Sequence, residues 1–241
     1  MKCHVCENEY TEIVSCSRSW RKLYKCSKCE HIYIDYLGDE VEYHAKHYRS
    51  KGNEAYRAII HSNRLIEICK KRANWFINNV VFEKDKKYNC YEVGAGGGTF
   101  ARELVKYLNC EYVCNEISQI MLDECKRLGF KTNNTNINEI KFDKKYDFIF
   151  AWHVLEHIKD FPSLVKKIKQ NLDGKLILEV PTNNISRLSK KREWDGHSHY
   201  FSQKSFNLYF TNNGFNIIKK VDGVQSKEQR PSILAILEKN K

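Results

Sequence analysis

Two stretches of the chain carry residue types at spacings that can do chemistry. The first is a pair of knuckles, Cys3-x-x-Cys6 and Cys26-x-x-Cys29, with nineteen residues between them. Each knuckle puts two thiolates on one tight turn, and two such turns supply the four corners of a tetrahedral zinc site. Four thiolates leave no open coordination position, so zinc held there would be structural rather than catalytic. Cys16, His4 and His31 are spare donors, read as exposed bystanders. The second stretch is Tyr88-Asn89-Cys90-Tyr91-Glu92-Val93-Gly94-Ala95-Gly96-Gly97-Gly98-Thr99-Phe100. It predicts a short buried strand ending in an acid, a glycine turn and a helix start. Glycine lets backbone approach a ligand closely, and the open N–H groups of a helix start favour a polar or anionic one.

Many ligands use glycine turns, and the spacing narrows the choice. A dinucleotide fingerprint needs glycine or alanine where Thr99 stands, and a Walker-type loop needs a lysine after the glycines. Neither requirement is met. An acid-x-Gly-x-Gly-x-Gly pattern remains. Eighteen residues after Gly98, Glu116 follows the apolar run Tyr112-Val113-Cys114, where a carboxylate at a strand end can accept hydrogen bonds from both hydroxyls of a ribose.

These residues need a scaffold. At 241 residues the chain suits one α/β domain plus a small module, and its 41% hydrophobic content allows a real core. Short strands flank the knuckles at Ile13-Val14, Leu23-Tyr24 and Ile32-Tyr33-Ile34, which predicts a zinc ribbon over residues 1–37. Residues 38–87 read as a helical connector or lid. A helical period runs from about Asn53, and Tyr43, His44, His47, Tyr48 and Tyr56 read as aromatic packing that could also close over a ligand. From 88 to 241 strands and helices alternate: Cys90 to Val93, Tyr112 to Cys114, Asp147 to Ala151 and Leu176 to Val180. Helices carrying Phe100/Leu104/Leu108, Met121/Cys125/Leu128 and Leu164/Ile168/Leu172 lie between them, the last stopped at Gly174. Asn216 to Lys220 and Ile233 to Leu237 close the pattern as an antiparallel pair. The expectation is a doubly wound, mostly parallel α/β sheet of seven strands.

The net charge of +11 implies attraction to anionic small molecules or polyanions without choosing between them. Clusters such as Lys70-Lys71-Arg72 read mainly as solvated surface. No run reaches the length needed to span a bilayer, and Met1-Lys2-Cys3-His4 lacks a signal peptide's apolar region, so a cytoplasmic protein is expected.

The acid-x-Gly-x-Gly-x-Gly turn and Glu116, together with Tyr146-Asp147-Phe148-Ile149-Phe150-Ala151-Trp152-His153-Val154-Leu155-Glu156-His157-Ile158, resemble the class I S-adenosylmethionine (SAM) dependent methyltransferases across residues 88 to 240. The zinc ribbon and the late Gly196-His197-Ser198-His199-Tyr200-Phe201-Ser202 make the chain similar to bacterial methyltransferases of sugars and surface-polysaccharide precursors. The resemblance implies that Glu92 holds the SAM amino group. Gly94, Ala95, Gly96 and Gly98 would pass close to the methionine portion. Glu116 would take the ribose diol, and Ile117 would pack on adenine. Asn136, where the family often has an acid, and Ile137 would sit near the adenine amine, with Trp152 in the same pocket. Methyl transfer to a hydroxyl needs a proton acceptor. His199 is the first choice as base, because imidazole titrates near neutrality; His197 and His153 follow. Glu156 and His157 read as capping or packing groups at a helix start. The expected acceptor is a small anionic molecule such as a nucleotide-linked or phosphorylated sugar. RNA or another nucleic acid is the alternative acceptor, and a non-catalytic SAM-fold module is the third reading.

Overall fold

A computed structural model describes residues 2–9, 11–15, 22–34, 58–182, 197–222 and 231–240. Tyr43, His44, His47, Tyr48, Tyr56, Cys16 and Gly196 lie outside these residues. Two sheets are present. The larger has seven strands: β4 (Tyr88–Val93), β5 (Cys110–Asn115), β6 (Lys131–Asn133), β7 (Tyr146–Trp152), β8 (Leu172–Pro181), β10 (Phe215–Asp222) and β11 (Ser232–Lys239), in the order β10-β11-β8-β7-β4-β5-β6. Strands β8-β7-β4-β5-β6 run parallel, while β11 pairs antiparallel with both β8 and β10. The sheet is therefore mostly parallel, as expected. The strand order reverses between β4 and β7, the place where open α/β sheets bind ligands.

Both faces of this sheet are covered, which is why its strands read as apolar runs rather than alternating ones. Along β7, Phe148, Phe150 and Trp152 join one core and Ile149 and Ala151 the other. Helix α1 (Asn63–Asn79) and helix α2 (Thr99–Leu104) cover the first face through Cys69, Ala73, Phe76, Phe100 and Leu104. Phe76 meets Phe148 and Phe150 edge-on at 5.0 and 5.1 Å. After helix α3 (Gln119–Arg127), helix α4 (Phe161–Asn171) and helix α5 (Gln203–Asn212) cover the second face with Phe161, Leu164, Ile168, Phe206 and Phe210. Gly129, at φ +83°, ends α3.

Lys131–Asn133 is a short edge strand beyond those read from the sequence; with one neighbour and little burial it carries no apolar signature. One local expectation is corrected. Gly174 is not a helix stop but lies inside β8, which begins at Leu172 directly after α4. A Cβ on Gly174 would come within 2.2 Å of the Asp147 carbonyl oxygen, beside a register irregularity between β7 and β8.

The smaller sheet is built from β1 (Thr11–Ser15), β2 (Lys22–Cys26), β3 (Ile32–Ile34) and β9 (His199–Tyr200), in that order. The first three are the N-terminal strands expected around the knuckles. The fourth comes from the other end of the chain: Ile32 pairs with Tyr200 and Tyr33 with His199. The N-terminal module thus shares a sheet with the loop after β8.

Candidate functional site

The glycine turn joins β4 to α2 at the reversal point. Gly94, Gly96 and Gly98 all have positive φ, at +66°, +54° and +71°, a region open to glycine at little cost. Their surroundings differ. A Cβ on Gly94 would lie 2.9 Å from Val154 Cγ2, so this glycine lets the turn after β7 pack on the loop. A Cβ on Gly98 would meet Cys125 Sγ at 3.2 Å, again an internal neighbour. Gly96 alone of the three faces open space, with nothing within 4 Å. Ala95 is buried and donates its N–H to the Asn115 carbonyl at 2.8 Å, binding the loop to the end of β5.

Two acids flank the loop. Glu116 Oε2 accepts the N–H of Gly96 at 3.0 Å, and its Oε1 accepts those of Ile117 and Ser118 at 2.9 and 3.0 Å. Burial raises the Glu116 carboxyl, and these three N–H groups pull it back. Glu92 is buried, and burial lifts its carboxyl to about 8 even though the Tyr112 hydroxyl donates to Oε2 at 2.9 Å. Ile117 stands 37% exposed beside this pocket. Asn136 has its amide oxygen engaged by the Asn138 N–H at 3.0 Å, and Ile137 packs on the core. Trp152 is buried with its indole Nε1 unpartnered among the described residues.

Beside the loop, after β7, lies a buried polar network. His153, at φ +55°, places Nδ1 3.0 Å from Glu156 Oε1 and Nε2 3.8 Å from Glu179 Oε1. Burial would raise Glu156, but the His153 hydrogen bond and the charges of His153, His157 and His197 hold it at about 2. Arg72 reaches Glu179 Oε2 through Nη2 at 2.7 Å and Nε at 2.8 Å, with its guanidinium carbon 4.8 Å above the Trp152 ring. The Ser232 hydroxyl donates to Glu179 Oε1 at 2.6 Å. Burial raises Glu179, and the charges of Arg72 and His153 outweigh that to leave it below the usual carboxylate range.

Arg72 is therefore not solvated surface: only 5% of it is exposed. Its partner lies 107 residues away, which no local pattern shows, although Arg72 falls on the same helical face as Cys69, Ala73 and Phe76. Glu156 is fully buried at the start of a 3-10 turn (Leu155–His157). Its carboxylate is grouped with His157 and His197.

His199, the first-choice base, is corrected. It is 1% exposed, and both ring nitrogens are engaged: Nε2 lies 3.0 Å from the Lys159 carbonyl and Nδ1 3.1 Å from His31 Nε2. A carbonyl only accepts, so His199 Nε2 carries the proton and Nδ1 accepts from His31. Burial holds its basicity down to about 3. No lone pair is left to take a substrate proton. His31 likewise is no exposed bystander but fully buried. His197 is buried as well, with its ring 4.6 Å from that of His157. Of the three histidines read as bases, His153 has the most accessible side chain, at 22%.

At the turns flanking the N-terminal strands, the sulfurs of Cys3, Cys6, Cys26 and Cys29 all lie within 4.8 Å of one another. Cys3 pairs with Cys29 and Cys6 with Cys26, each at 3.5 Å. The hydrogen bond between Cys3 and Cys29 lowers the Cys3 thiol and raises that of Cys29, as for two sulfurs sharing one proton. The four donors fit a tetrahedral ion in type and in grouping.

A methyltransferase-domain family model matches residues 48–220. No protein of the curated set is similar in sequence. Among solved structures, magnesium protoporphyrin IX methyltransferase (ChlM) from Synechocystis PCC 6803 with bound S-adenosylhomocysteine (SAH) aligns with a TM-score of 0.66 and 15% identity, over 83% of this chain and all of that one. A SAM-dependent methyltransferase from Leishmania major gives 0.66 and 16%, over 84% of this chain and 87% of that one. The CurJ carbon methyltransferase gives 0.60 and 14%, over 78% of this chain and 58% of that one. At these identities the likeness is one of fold.

Proposed function

The chain belongs to the methyltransferase-domain family and is a SAM-dependent methyltransferase, and from that premise we propose that it methylates an oxygen of a small anionic acceptor, such as a nucleotide-linked or phosphorylated sugar. The fold does not choose the acceptor, since the same fold carries acceptors as different as a porphyrin and a carbon centre. The charge of +11 favours an anionic one. Donor binding rests on the open space over Gly96, bounded by Glu116, which is the observation that carries this reading. In it, Glu92 meets the SAM amino group and the loop Gly94-Ala95-Gly96 faces the methionine portion. Gly98 acts through packing rather than contact. Glu116 takes the ribose hydroxyls, Ile117 packs on adenine, Asn136 and Ile137 border it, and Trp152 offers its unpartnered indole N–H. SAM supplies a methyl group on an already cationic sulfur, so the protein's task is to align the acceptor, exclude water and remove a proton. His153, oriented through Nδ1 by the Glu156 carboxylate, is the base in this scheme. The four cysteines hold a structural zinc ion, closing the ribbon whose sheet includes His199 and Tyr200.

Calorimetry with SAH tests the donor half. Binding by the full-length protein, weakened about 10- to 100-fold in Glu116→Ala, is expected for loss of charge-assisted hydrogen bonds. No binding, or an unchanged affinity in that variant, overturns the site assignment. Incubation with labelled SAM and a panel of nucleotide sugars tests the acceptor, and label transferred only to RNA would overturn the small-molecule reading.

A further inference from the structure

We propose that Glu156, His157 and His197 form a second metal site, separate from the ribbon, which holds a divalent first-row cation and through it an oxygen of the acceptor. A carboxylate oxygen of Glu156 and one ring nitrogen each of His157 and His197 lie within 4.8 Å of one another. Glu156 is fully buried, and its Oε2 has no hydrogen-bond partner among the described residues. A buried carboxylate oxygen without a donor is costly, and a cation is the partner that best removes the cost. The other oxygen is held by His153 at 3.0 Å, which fixes the carboxylate plane. His197 is brought to the cluster by the backbone, since the Ser198 N–H donates to the Glu156 carbonyl at 2.7 Å.

The two metal sites differ in chemistry. Four thiolates make a closed site for a soft or borderline ion, whereas two imidazoles and one carboxylate leave coordination positions open. Those open positions suit an oxygen ligand. The cluster follows directly on β7 at the carboxyl end of the sheet, and Val154, within the same turn, packs on Gly94 of the glycine loop. An acceptor bound through the ion would thus stand beside the donor pocket. Acceptors with a phosphate oxygen or adjacent hydroxyls would bind this way. This inference rests on the methyltransferase reading for its substrate but not for its metal.

The test is titration of the full-length protein with Mn2+, read as loss of the free-ion electron paramagnetic resonance signal, because Mn2+ disfavours thiolates and so does not report on the ribbon. One saturable site per chain is expected, weakened at least tenfold in Glu156→Gln and in His197→Asn. SAH calorimetry on the same samples shows whether each variant is folded. If Glu156→Gln does not fold, His197→Asn and His157→Asn carry the test. Absence of saturable Mn2+ binding in a protein that binds SAH overturns the metal site and leaves the methyltransferase reading standing. Equal Mn2+ affinity in folded variants overturns it too. Failure to bind SAH, with Mn2+ bound as expected, overturns the donor site alone.

Discussion

The imidazoles of His31 and His199 stand 3.1 Å apart, one just before β3 near the N-terminus and the other 168 residues later on β9, the strand that pairs with β3. The contact is stacked as well as hydrogen-bonded, at 5.2 Å between ring centroids, and Phe161 closes over His199 at 4.8 Å. A histidine in that setting serves attachment. It ties the strands around the cysteine knuckles to the segment after β8.

His199→Gln should therefore lower stability more than it lowers turnover per folded molecule. Its pH dependence follows from linkage. Burial puts the folded-state value of His199 at about 3, below the roughly 6.5 of an unfolded chain. Between those values the unfolded state binds the extra proton, so stability falls as pH drops from about 6.5 toward 3, by up to ~1.4 kcal/mol per pH unit. Urea unfolding at pH 7.5 and 5.5 measures the slope. The wild type should lose more than His199→Gln over that interval, and equal losses would show that His199 is not held neutral.

Glu92 gives a pH effect of the opposite kind. Its carboxyl is held near 8, so it is largely neutral at pH 6.5 and ionised at pH 9. A ligand ammonium group favours the ionised form, so SAH affinity should rise from pH 6.5 to 8, by at most about tenfold per unit. Calorimetry across that range should show the rise in the wild type and a flat profile in Glu92→Gln. A flat wild-type profile would place the ammonium elsewhere.

Gly94 and Gly96 look alike in the sequence and should fail differently. Gly94→Ala drives a methyl group into Val154 at 2.9 Å on a backbone of positive φ, so a loss of about 1–3 kcal/mol in stability is expected. Gly96→Ala pays only the backbone strain, about 1 kcal/mol. Its methyl projects into the open space where the donor would lie, so it should cost SAH affinity instead. Thermal melts paired with calorimetry on both variants separate the two effects, and a Gly96→Ala protein that binds SAH normally would move the ligand off this face.

What could be read in the sequence was what local spacing encodes. The glycine turn, Glu116 after its strand and the paired cysteine knuckles each lie within a few residues of the structure that uses them, and the apolar runs fixed the parallel sheet. What could not be read was set by contacts between distant segments. His31 and His199 looked like two separate histidines because the strand pairing that joins them spans most of the chain. Gly174 resembled a helix stop because the carbonyl that excludes its side chain belongs to Asp147 on the neighbouring strand. Chemistry alone put His199 first among the bases. Burial, which composition does not show, removed it.

Arg72 sharpens the same point and gives the last prediction. It sits in a run with Lys70 and Lys71, yet Lys70 is exposed and pairs with Glu67, while Arg72 is turned inward onto Glu179. Both its Nε and its Nη2 donate to one oxygen of Glu179, and Ser232 donates to the other, so the carboxylate is satisfied only while all three remain. Removing the guanidinium leaves a buried charge without its main partner, and Arg72→Ala should cost about 3–5 kcal/mol. Lysine cannot reproduce the two-pronged contact or the stacking over Trp152, so Arg72→Lys should recover little of that. The double variant Arg72→Met with Glu179→Leu removes both charges together and should be markedly more stable than either single change. Denaturant unfolding of the wild type, Arg72→Met, Glu179→Leu and the double variant completes the cycle, with Arg72→Ala and Arg72→Lys measured alongside. If Arg72→Ala costs no more than a surface substitution, the ion pair does not hold α1 to β8.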